Sequence, residues 1–136
     1  MKRLLLVCLL LVLISGTVYA WNDGSFSSGL MSTGYIDGGA TSMATGITAI
    51  PLNYSIVKKT VTNAGSESLT LADGIQGQVI KIIQVDNPGT ITITPTTTTG
   101  FASVVLNAVG DQVTLLFIDN DNGWIIVGET GSTVNQ

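Results

Sequence analysis

The sequence contains no histidine, and its one cysteine, Cys8, lies inside an apolar run near the N-terminus. Without imidazole there is no Ser-His-Asp or Cys-His machinery and no histidine-ligated metal. Charge is nearly as scarce, at 10% of residues, and only five residues are basic. Two of these, Lys2 and Arg3, precede the apolar run; the other three, Lys58, Lys59 and Lys81, stand against nine acids. Nucleic-acid binding needs clustered Lys and Arg, so this balance excludes it and argues equally against an anionic membrane surface. No stretch after the N-terminal run carries the 3.6-residue apolar period of an amphipathic helix. What remains for the surface is Thr, Ser, Asn, Gln and Gly, an uncharged hydrogen-bonding skin.

The N-terminus is the first feature that is present. Met1-Lys2-Arg3 is followed by apolar residues 4–14 and then by small residues ending at Ala20. A basic start, a short apolar run and a small-residue ending are the parts of a secretory signal peptide. The run is shorter than the roughly 20 residues of a membrane span, so residues 1–20 are expected to be cleaved before Trp21. The expected location is secreted, extracellular or periplasmic, with no membrane association after cleavage. Removing the leader removes Cys8, so no disulfide forms even where the compartment permits one. Stability then has to come from packing or from oligomerisation.

Residues 21–50 are rich in Gly, Ser and Thr, and Phe26, Leu30, Met31, Tyr35, Ile36, Met43 and Ile47 recur with no helical or strand period. They read as an extended arm, either a linker or laid against a partner. Residues 51–130 read as one β domain and residues 131–136 as a polar tail. Strands are expected over residues 54–62, 67–71, 79–85, 90–94, 101–106, 111–118 and 124–128, separated by Gly, Asn, Asp and Pro turns. Lys58-Lys59 in the first of these suits an edge strand, where charge discourages pairing with other chains.

The densest apolar content of the domain lies in the last two strands. Val113, Leu115 and Phe117 alternate with Gln112, Thr114 and Leu116, and Trp124 and Ile126 follow the polar turn at residues 119–123. Asn122-Gly123 favours the positive φ of a hairpin turn. Val113, Leu115, Phe117, Trp124 and Ile126 are the expected core and assembly residues. Leu116, Ile118, Ile125 and Val127 make the other face apolar too. A hairpin apolar on both sides needs two covers, a second sheet or a neighbouring subunit. The expected fold is all-β, a small antiparallel sandwich or jelly-roll-like domain of about seven or eight strands.

Candidate chemistry is thin. Asp119 and Asp121 are the only closely spaced acids, and turn formation explains both. The run 119–123 hints at a calcium loop, yet the fifth and twelfth positions, which should supply oxygen ligands, hold Gly123 and Thr130. Asp119 and Asp121 are therefore the only calcium candidates, and no other metal or cofactor is expected. The glycines at 74 and 77 have no following lysine or helix and make no phosphate cradle. Thr90, Thr92 and Thr94 form a single threonine row, whereas ice-binding arrays stack such rows over many coils. Asn53-Tyr54-Ser55 is a glycosylation sequon. Trp21, Tyr35 and Tyr54 are candidates for stacking on sugars. No nucleophile, base or metal set emerges, so an enzyme is not expected.

Four stretches together carry a resemblance: residues 69–82 (LTLADGIQGQVIKI), residues 90–95 (TITITP), residues 109–117 (VGDQVTLLF) and residues 123–128 (GWIIVG). Over about residues 55–131 the chain resembles a recurrent β module of tailed-bacteriophage structural proteins, of the tail-fibre and virion-surface type. The resemblance implies a non-enzymatic module, often homotrimeric, on a virion surface. The combined expectation is a structural or attachment module that assembles as a homo-oligomer, with a trimer favoured. The alternative is a secreted module that binds a cell-surface glycan through the turn at residues 119–123 and nearby aromatics.

Overall fold

The computed structural model describes residues 39–61, 65–86 and 89–136. The expected leader, and the arm as far as residue 38, lie outside them. The described residues form nine strands and no helix: β1 (Ala40–Met43), β2 (Ile56–Thr60), β3 (Ser66–Leu71), β4 (Val79–Asp86), β5 (Thr90–Pro95), β6 (Ser103–Leu106), β7 (Gln112–Phe117), β8 (Trp124–Thr130) and β9 (Thr133–Asn135). The strands divide between two sheets. Sheet A has the order β1-β2-β4-β7-β8, and sheet B the order β3-β5-β6-β9.

The pairing corrects the expectation of an antiparallel sandwich, because both sheets are mixed. β1, β2 and β4 run parallel to one another, as do β3 and β5; the remaining neighbours are antiparallel. Parallel neighbours need a crossover, usually a helix. Here the crossover is a strand of the other sheet, since β3 lies between β2 and β4 in sequence and β4 between β3 and β5. Alternation of side chains identifies a strand but carries no information about the direction of its partner.

Period-two burial explains why each segment is a strand. β4 alternates half-buried and buried along Val79-Ile80-Lys81-Ile82-Ile83-Gln84, and β5 and β7 do the same. The inward residues of the two sheets meet in one core that includes Val57, Leu69, Ile80, Ile82, Ile91, Ile93, Val104, Val113, Leu115 and Trp124. Apolar burial of this kind contributes about 25 cal/mol per Å².

The packed region also extends further at both ends than periodicity indicated. β1 and the buried Met43 and Ile50 fall inside the segment read as an arm, and β9 falls inside the segment read as a tail. Both strands are too short, at four and three residues, to display a period. β2 is the clearest reversal, because it lies between β1 and β4 and is not an edge strand. Its Lys59 points inward and is fully buried. The ammonium group lies 2.6 Å from Glu67 Oε2 and donates to the carbonyl oxygens of Ala44 (2.6 Å) and Ile47 (3.0 Å). A lysine with all three protons satisfied tolerates burial, so the charge marks an internal clasp.

Candidate functional site

Three surfaces bear on function: the tip of the β7–β8 hairpin and the outer faces of the two sheets. At the tip, the Asp119 carboxylate is built into the turn. Its Oδ1 accepts hydrogen bonds from the backbone N–H of Asp121 (3.0 Å), the backbone N–H of Asn122 (2.8 Å) and the Asn122 side-chain amide (2.8 Å). The same amide donates to Oδ2 at 3.0 Å. The backbone bond from Asn122, followed by its side-chain bond, holds the Asp119 carboxyl below the usual carboxylate range; slight desolvation works the other way. Each Asp119 oxygen thus has a donor inside the turn, whereas Asp121 contributes its backbone N–H. Among the described residues no group of three or more His, Cys, Asp or Glu gathers as a metal site.

Behind the turn the chain is fixed by close packing. Gly123 has a φ of 67°, and a methyl group there would run into the Thr97 backbone. Trp124 N–H donates to Thr97 O (2.9 Å), Thr99 N–H donates to Trp124 O (3.1 Å), and the indole N–H donates to Ala72 O (3.0 Å). Phe117 and Trp124 meet edge to face with ring centroids 5.2 Å apart and planes at 65°. Both rings are buried, at 1% and 0% exposure. The hairpin tip therefore presents no aromatic platform from either of them. An open depression of about 330 Å³ lies beside the tip, lined by Gly74, Ile75, Gln76, Phe117, Asp119 and Asn120.

The five expected core and assembly residues behave as one set. Val113, Leu115, Phe117 and Trp124 are buried, and Ile126 packs partly buried against them. The outer face of sheet A is the second apolar face anticipated from the hairpin, and it continues beyond it. Val79, Leu116 and Ile125 stand in register across three strands. Ile83, Ile56 and Val127 extend the apolar area, the last two at 37% and 52% exposure. Lys58 and Lys81 are the charges among them, beside Ile83 and Ile56 respectively.

The outer face of sheet B has the opposite character. Ser66, Ser68 and Thr70 of β3 lie in register with Thr90, Thr92 and Thr94 of β5. The threonine row legible in the sequence therefore has a second hydroxyl row beside it. That row was hidden because β3 carries serine at two of its three outward positions.

No protein-family model matches this sequence, and no curated protein matches it either. The Lys59–Glu67 clasp and the Val79 and Ile83 contributions to the outer face were missed by sequence reasoning. The only available signal for the clasp was a lysine at the inward phase of a strand, followed eight positions later by a glutamate at a strand start.

Proposed function

We propose that this chain is a non-catalytic structural or attachment module that assembles with copies of itself on an extracellular or virion surface. One observation carries the reading: the apolar row Val79–Leu116–Ile125, set across three strands on the outward face of a sheet whose inward face is already packed. Contiguous apolar surface on a small acidic protein favours association, because covering it removes apolar area from water. The resemblance over residues 55–131 to bacteriophage fibre and virion-surface modules supports the same reading and favours a trimer. The leader-like start at residues 1–20 supports export. The test is light scattering coupled to gel filtration, on the protein and on Leu116→Lys. Leu116 is only half-buried, so the variant keeps its fold and falls to the protomer mass. A monomeric parent protein at micromolar concentration overturns the proposal.

The second reading, glycan binding, draws on the depression at the hairpin tip and its polar lining of Gln76, Asp119 and Asn120. Binding on a glycan array that is abolished in both Gln76→Ala and Asn120→Ala would favour it over simple assembly.

A further inference from the structure

Consecutive segments of the chain stack as five rungs, each contributing one piece to each sheet. The rungs are β1 with residues 48–50, β2 with β3, β4 with β5, β7 with β6, and β8 with β9. Residues 48–50 join sheet B through the parallel bridge Ala49–Thr70, with Ile50 N–H donating to Thr70 O at 2.9 Å and Thr70 N–H donating to Thr48 O at 2.8 Å. Both sheets are therefore five rungs deep among the described residues, and residues 97–99 add a short piece beside the start of β8 through the parallel bridge Thr98–Trp124.

Strand direction makes the two ends complementary. In sheet A, β4 is parallel to β1 and β2, and two antiparallel pairings later β8 runs the same way as β1. In sheet B, two antiparallel pairings after β5 bring β9 into the direction of β3 and of residues 48–50. A second copy displaced along the stacking axis thus sets β1 beside β8 and residues 48–50 beside β9, parallel in both sheets at once.

We infer that the protein polymerises head to tail through these edges, the partner being a second copy of this chain. The β1 edge is suited to it. Ala40-Thr41-Ser42-Met43 carries no charge, no proline and no bulge, the devices that normally protect an edge. Gly39 O accepts from Ile56 N–H at 3.1 Å, so alternation turns the N–H and C=O of Ala40 and Ser42 to the open side. At the other end, the start of β8 is covered by Thr97 and Thr99, while Val127 to Thr130 are exposed. A second copy satisfies the β1 end and the β8–β9 end together, because the strands at both run in the same direction. The contact is heterologous, and strand twist turns each subunit relative to the last, so growth gives an open helical filament. Five rungs at a strand spacing of about 4.8 Å set a subunit rise of about 24 Å.

Electron microscopy and sedimentation of the purified protein test this, with two edge variants. Ser42→Pro deletes an outward N–H of β1, and Thr133→Lys places a charge on β9. The protein should form filaments of about 24 Å subunit rise, with a mass that grows with concentration. Each variant, with its melting transition intact, should stop at a small closed particle. An equimolar mixture should double that particle's mass, because each variant retains the end that the other lacks. A concentration-independent mass for the parent protein, filaments that persist in both variants, or a mixture with no mass gain overturns the proposal. Leu116 lies on a different surface, so loss of the lateral oligomer and loss of filaments are read separately.

Discussion

Lys59 is carried on the inward side of β2, in a position that alternation would give to an aliphatic side chain. Its burial is tolerable because Glu67 and two carbonyl oxygens meet the ammonium group. Removing one partner of a buried ion pair leaves the other charge uncompensated, at a cost of about 3–5 kcal/mol. Lys59→Met should therefore lower urea-unfolding stability by about that amount, and pairing it with Glu67→Leu should recover most of the loss. A double variant no more stable than the single one would show that the carbonyl contacts to Ala44 and Ile47 matter more than the charge pair. Asp119 differs because it holds a surface turn. Its pKa is depressed in the folded state, so its contribution is present above the ordinary carboxyl value of 3.8 and fades as pH falls through the lower folded value. Asp119→Ala should melt below the parent at pH 7 and together with it at pH 2; a gap that persists in acid would contradict the capping role.

At the scale of elements, the β7–β8 hairpin anchors one end of the core through Trp124. Its ring is wholly buried, and its N–H reaches Ala72 in the segment between β3 and β4. Trp124→Ala should cost about 3–5 kcal/mol by creating a cavity. Trp124→Phe keeps much of the packing but strands the Ala72 carbonyl, a loss of about 1–3 kcal/mol. Chemical denaturation with a two-state fit separates the two, and equal losses would mean that the hydrogen bond adds nothing. The hairpin was legible because a regular apolar alternation meets a turn sequence of the right type. β2 was misplaced because two adjacent lysines look alike whether they guard an edge or one of them is buried. Only the partner, Glu67 on a strand of the other sheet, distinguishes the cases. β1 and β9 escaped notice because four and three residues cannot show a period.

For the whole molecule, the two outer faces divide the surface by chemistry. Sheet A presents aliphatic side chains with two lysines, and sheet B presents hydroxyls in matched rows. The assembly proposed above would cover the first and leave the second in water. Association through sheet A, as proposed, would bury apolar area and gain little from ion pairs. The lateral oligomer should therefore persist as salt is raised from about 0.1 M, where the Debye length is about 10 Å, to about 1 M, where it is about 3 Å. Dissociation at high salt, followed by sedimentation, would point instead to Lys58 and Lys81 as the contacts that hold it.

The sequence by itself determined the class of the fold, most strand positions, the core of the hairpin and the absence of histidine and thiol chemistry from the domain. These depend on residue type and on spacing within one segment, both of which are local. The tertiary structure alone decided which strands are neighbours, which of those pairs are parallel, and that a lysine sits inside. It also placed a serine row beside the threonine row and gave each sheet end segments that run in the same direction. Each of these depends on which distant segment lies alongside, and a backbone ladder forms between any two strands whatever their side chains, so the chain's local pattern leaves the choice of neighbour open.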